Sequence, residues 1–123
     1  MENMGLGVKD VEGITDQATL ERIATTHSDA NISVAAIMRI NNQAVLRLRA
    51  FVDASYSVRL AATERITDQA ILCLIAERDE YECVQAAAVG RITDQELLEK
   101  LASMDDYGFI QAAAASRLDR LRG

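Results

Sequence analysis

Ile66-Thr67-Asp68-Gln69-Ala70 decides the fold, because the chain returns to it at a fixed interval. The same columns hold Ile14-Thr15-Asp16-Gln17-Ala18, Ile40-Asn41-Asn42-Gln43-Ala44 and Ile92-Thr93-Asp94-Gln95-Glu96, each 26 residues from the last without insertion or deletion. A constant period of this length marks a stacked array of one supersecondary unit. Working outward, the repeats run 14–39, 40–65, 66–91 and 92–117. Residues 1–13 form a half-repeat in which Leu6, Val8 and Val11 fall on the columns of Ile32, Val34 and Ile37, and 118–123 form a C-terminal cap.

Each repeat reads as two short helices. Thr15, Asn41, Thr67 and Thr93, then Asp16, Asn42, Asp68 and Asp94, are strong N-cap residues in two adjacent columns, so the first helix starts at one or the other. Leu20, Leu46, Leu72 and Leu98, with Ala24, Ala50, Ala76 and Ala102 four residues on, give that helix one apolar face. A polar break follows at His27-Ser28-Asp29, Asp53-Ala54-Ser55, Asp79-Glu80 and Asp105-Asp106. The second helix carries Ile32, Val58, Val84 and Ile110, then the pairs Ala35-Ala36, Ala61-Ala62, Ala87-Ala88 and Ala113-Ala114, and ends at Arg39, Arg65, Arg91 and Arg117. Both alanines of each pair are expected to be buried. A helix of about 10 residues is marginal alone, so neighbouring repeats must supply its stability.

Composition narrows the function. Half of the 123 residues are hydrophobic, with five aromatics and no Trp or Pro, so the core is built from Ala, Leu, Ile and Val. A net charge of −6 repels a phosphate backbone and argues against nucleic acid. No apolar run reaches the ~20 residues a membrane span requires, and Met1-Glu2-Asn3-Met4-Gly5 lacks the pattern of a signal peptide. The expectation is a cytoplasmic chain with no membrane partner. Cys73 and Cys83 have neither metal-ligand spacing nor supporting histidines, and His27 stands in the column of Asp53 and Asp79 as a turn residue. No catalytic, metal or cofactor residue is indicated.

The order Asp then Val-Arg-x-Ala-Ala, here Asp53 and Val58-Arg59-Leu60-Ala61-Ala62, resembles the second helix of HEAT-like repeats. The opening Thr-Asp-Gln-x-x-Leu and its distance from that helix resemble the leucine-rich repeat variant, a short α-solenoid unit. The likeness spans residues 14–117. The fold expected is all-α: a right-handed α-solenoid of four 26-residue repeats with a partial N-terminal capping helix. Such families serve mostly as binding surfaces, which implies a non-catalytic scaffold or adaptor. A HEAT-like small-molecule-binding or modifying enzyme is the other class. Its metal-dependent hydroxylases carry repeated His-Glu pairs, its DNA glycosylases a basic groove with Trp, and the iron–sulfur protein of the variant family a cysteine cluster ahead of the repeats. This chain has one His, no Trp and no Cys in residues 1–13.

The binding residues are sought where the repeats differ. All five aromatics (Phe51, Tyr56, Tyr81, Tyr107, Phe109) lie around the break between helices, and Asp79, Glu80, Glu82, Asp105 and Asp106 share that edge. Two readings stand. Tyrosines cover helix ends while acids face helix N-termini, or Tyr81, Tyr107 and Phe109 with Asp79, Glu80, Asp105 and Asp106 form an edge that takes a basic protein or peptide. Repeat two offers a second surface of opposite sign, Arg47, Arg49, Arg59 and Arg65, at net +2 against −3 for each of repeats three and four. The Arg column is expected to face the helix dipole, with Asp68 and Asp94 as ion-pair partners of Arg65 and Arg91. Arg49 occupies the core column of Ile23, Ile75 and Leu101, where its head must snorkel to water or meet a carboxylate. Cys73 shares the column of Glu21, Arg47 and Glu99 and is expected at the surface. Gln17, Gln43, Gln69 and Gln95 suit the junction between repeats, where one amide serves a donor and an acceptor. Weak self-association through poorly capped solenoid ends is also expected.

Overall fold

The computed structural model describes residues 6–26, 29–104 and 108–123; the turn expected at His27 lies outside them. Most of the described residues are helical, and none of them lies in a strand. A short α1 (Val8–Glu12) precedes four pairs: α2 (Gln17–Thr26) with α3 (Ala30–Ile37), α4 (Gln43–Val52) with α5 (Tyr56–Thr63), α6 (Gln69–Arg78) with α7 (Glu82–Arg91), and α8 (Gln95–Ala102) with α9 (Gly108–Arg122). First helices thus start at every Gln of the conserved column, and second helices start 13 residues later each time. None of these helices is long and apolar enough to cross a membrane.

The chain divides into two units, Met1–Arg65 and Ile66–Gly123. In the first, α2 packs on α3 and α4 on α5, while α3 meets both α1 and α5, and α2 meets α4. The second follows the same plan: α6 on α7, α8 on α9, α7 on α9 and α6 on α8. The core columns do the packing. Leu20, Leu46, Leu72 and Leu98 are sealed, as are Ile40, Ile66 and Ile92 in the linkers and Ile32, Val58, Val84 and Ile110 in the second helices. Val11 of α1 is buried like its column mate Ile37. Of each alanine pair only the second is sealed throughout: Ala36, Ala62, Ala88 and Ala114 are buried, whereas Ala35, Ala87 and Ala113 are half-buried. One residue on a helix is about 100° of rotation, enough to turn the first alanine to the rim.

Helix starts follow from the second capping column. Asn42 accepts from the N–H groups of Ala44 and Val45, Asp68 from Ile71, and Asp94 from Glu96 and Leu97. Asp16 accepts from both N–H and Oγ1 of Thr19, which holds its exposed carboxyl below the usual range.

The invariant Gln and Arg form a polar brace at each linker. The guanidinium of Arg39 donates through Nε and Nη2 to the carbonyl of Ile14, at 3.2 and 2.9 Å. Arg65 donates to the carbonyl of Ile40 through Nη2 at 2.9 Å, and Arg91 and Arg117 donate through Nε to those of Ile66 and Ile92 at 2.9 and 3.1 Å. Three of the four Arg carbonyls in turn accept from a Gln amide, Gln17 to Arg39, Gln43 to Arg65 and Gln69 to Arg91, while the amide oxygen of Gln95 accepts from Arg122. The amide oxygens of Gln17 and Gln69 accept from the N–H groups of Asn41 and Thr93 in the following linker. Helix ends and the turns between them strand backbone groups that need partners, and these two side chains supply them. The Arg column thus ties linker carbonyls, with Arg91 in the last turn of α7 as expected, and Asp94, expected to pair with Arg91, caps α8. The expected C-terminus at Arg117 is also corrected: α9 runs on to Arg122 and absorbs the cap, with Leu118 buried.

Of the two options for Arg49 the structure has the second: its guanidinium meets the carboxylate of Asp53, one helical turn on, at 3.2 Å with both side chains largely covered. One reading changes. Cys73 is 3% exposed, not at the surface. A thiol is too short to reach past its neighbours there, Glu77 and Lys100, which pair at 3.2 Å. Burial pushes the Cys73 thiol above its usual range and the Glu77 charge adds to this.

Thr63 is fully buried in the column of Ile37 and Val89, and its Oγ1 has no hydrogen-bond partner among the described residues. An unpaired buried hydroxyl costs roughly 1–3 kcal/mol. Thr63→Val keeps the shape and removes that cost, so chemical denaturation should show a gain of about 1 kcal/mol or more.

Candidate partner-binding surfaces

The acidic edge belongs to the unit Ile66–Gly123. After α6 ends, the Asp79 carboxylate accepts from the backbone N–H of Tyr81 at 2.9 Å, which bends the chain into α7 and leaves Tyr81 as its N-cap residue. The Tyr81 side chain is 45% exposed, and Glu80 and Glu82 on either side are exposed. Phe109, in the first turn of α9, is 39% exposed. Asp79 thus shapes the turn, while Glu80, Tyr81 and Glu82 present their side chains to solvent. Asp105, Asp106 and Tyr107 lie outside the described residues.

The second surface is drawn inward. Arg65 serves the linker brace, Arg49 pairs with Asp53, and Arg59 is buried with Nη1 donating to the carbonyls of Asp53 and Ala54 at 2.9 and 3.4 Å. Of the four arginines, Arg47 is the one exposed without a hydrogen bond to the described residues. The sequence reading missed what surrounds it. Leu48, Phe51 and Val52 on α4 and Tyr56 at the start of α5 are exposed by 50, 38, 59 and 45%. The signal was present in the columns: where α4 has Leu48, Phe51 and Val52, α2 has Arg22, Thr25 and Thr26.

A third feature is a groove of about 510 Å³ between α1 and α3, with apolar walls from Val8, Val34, Ala35 and Met38 and with Glu12 and Arg39 at its polar positions. Met38 is itself well exposed. Cys83 is exposed and Cys73 buried, and neither joins a cluster: among the described residues no group of three or more His, Cys, Asp or Glu stands close enough to hold a metal ion. The Lys100 ammonium is held above its usual range by its hydrogen bond to Glu77, then by that carboxylate's charge.

No known family model matches the chain, and neither curated proteins nor solved structures give a significant match. The likeness to HEAT-like repeats therefore rests on the residues quoted from the sequence.

Proposed function

We propose that this chain is a right-handed α-solenoid of four two-helix repeats that acts as a non-catalytic scaffold, holding a basic protein segment along the edge at Glu80, Tyr81 and Glu82. The architecture is supported by the recurrence of the Arg and Gln hydrogen bonds at the repeat period. The function is supported by one observation above others: Tyr81 caps α7 with its ring exposed between two exposed carboxylates. A half-exposed aromatic supplies interface area, and flanking charges steer a partner of opposite sign. Asp105, Asp106, Tyr107 and Phe109 would extend the same edge.

Affinity capture of proteins by the parent chain and by Tyr81→Ser tests this. The parent is expected to retain a basic protein that rising salt releases. Tyr81→Ser should retain at least tenfold less, since an interfacial tyrosine anchor is worth roughly 2 kcal/mol or more, while its thermal melt stays within a degree or two of the parent's. Equal capture by both proteins would overturn the reading. A small-molecule site is the second reading, favoured by the groove between α1 and α3, whose size falls in the range of such sites. Native mass spectrometry finding a stoichiometric small ligand, lost on Met38→Arg, would establish it.

A further inference from the structure

Four of the eight large hydrophobic residues exposed among the described residues, Leu48, Phe51, Val52 and Tyr56, lie on α4 or just after it. Positions 47, 48, 51 and 52 stand three and four apart, so Arg47, Leu48, Phe51 and Val52 form one contiguous helical face, with Tyr56 just beyond the helix end. The repeats provide an internal control for it. The column of Leu48 holds Arg22, Leu74 and Lys100, that of Phe51 holds Thr25, Glu77 and Ser103, and that of Val52 holds Thr26, Arg78 and Met104. Seven of these nine residues are polar or charged, so repeat architecture alone does not require apolar side chains there. Scattered exposed apolar residues are ordinary, but a cluster with a charged rim marks an interaction site.

Charge says what covers it. Residues 66–123 carry eleven acidic and six basic residues, whereas 1–65 carry eight and seven, so five of the six net negative charges fall in the second unit. The edge at α7 presents an exposed aromatic, Tyr81, between exposed carboxylates Glu80 and Glu82. The α4 face presents exposed apolar side chains beside the uncommitted guanidinium of Arg47. Each surface offers what the other lacks.

We propose that the α4 face of one molecule docks onto the α7 edge of a second copy of this chain, Arg47 meeting Glu80 or Glu82 and Leu48, Phe51 and Val52 covering Tyr81. This rests on the reading of the α7 edge as a binding surface and names its partner. The two surfaces differ, so the contact is heterologous: each molecule keeps one free α4 face and one free α7 edge, and association continues into open chains or a closed ring. A handful of side chains covers less than the roughly 800 Å² per partner of a stable complex, so the association is weak and concentration-dependent.

Sedimentation velocity on the purified full chain tests it with two exposed-site variants, Leu48→Lys and Tyr81→Ser, whose folding is checked by thermal melts. The parent's average mass should rise with concentration and fall with added salt. Each variant alone should associate at least about tenfold more weakly, since either loses one side of every contact. An equimolar mixture should form a dimer and stop there, because one intact α4 face then meets one intact α7 edge. A parent that stays monomeric throughout, a variant that associates like the parent, or a mixture that fails to dimerise would each overturn the proposal. These failures are distinct from failure of the edge itself. If the parent is monomeric yet captures a basic protein that Tyr81→Ser does not, the edge binds and self-docking falls.

Discussion

Leu72→Ala is expected to lower the unfolding free energy by about 2–5 kcal/mol. Leu72 is fully buried on α6, which packs against both α7 and α8. Removing its isobutyl group forfeits transfer free energy and leaves a cavity between helices of about 10 residues that have little stability of their own. A domain of this size is stable by about 5–15 kcal/mol, so one such change removes a sizeable share. Denaturant titration reads it directly, as a lower midpoint. Leu74→Ala, on the same helix but half-buried, is the control and should cost clearly less. Equal losses at the two positions would mean that the apolar face of α6 is turned from where the structure has it.

Arg91→Met should come next, at about 1–3 kcal/mol. Methionine keeps much of the apolar stem, so the difference isolates the guanidinium. Its Nε donates to the carbonyl of Ile66 at 2.9 Å, in a linker where the Ile66 side chain is sealed. Without the donor that carbonyl is left under-satisfied, and the turn into α6 loses its tie to the end of α7. Arg91→Lys should restore little, because a lysine ammonium lacks the planar fork and has no donor at the Nε position. Arg78→Met, at an exposed position on α6, should stay within about 0.5 kcal/mol. Thermal melts of the three variants distinguish a brace from a charge. If Lys rescues fully, the positive charge is what matters and the helix-dipole account returns.

These two cases show what was legible in the residues and what was not. Leu72 could be read as core because apolar periodicity depends only on local helix geometry, which the caps at Asp16, Asn42, Asp68 and Asp94 announce. The Gln column was readable as a junction residue for a related reason, since an amide recurring at one helix start has few other uses. Arg91 was misread because its acceptor, the carbonyl of Ile66, lies 25 residues back and belongs to the backbone. Sequence displays charges but not stranded carbonyls, so Asp94 looked like the natural partner. Cys73 failed on a similar count, its surroundings set by Glu77 one turn along α6 and Lys100 on α8 rather than by its own column. The surfaces were half legible. Tyr81 stands out as an aromatic, whereas Leu48 and Val52 carry no such mark, and their exposure follows only from the direction of α4.

The Arg–Ile bond closes within a single 26-residue segment, and the Gln side chain reaches from that segment to backbone atoms of the next. Backbone atoms are the same whatever side chains surround them. A segment copied in tandem therefore arrives with its own fastening and with a connector that fits any sibling. Lengthening such a gene by duplication raises no new pairing problem at the seam. The faces of each copy, such as the outward side of α4, are then free to diverge.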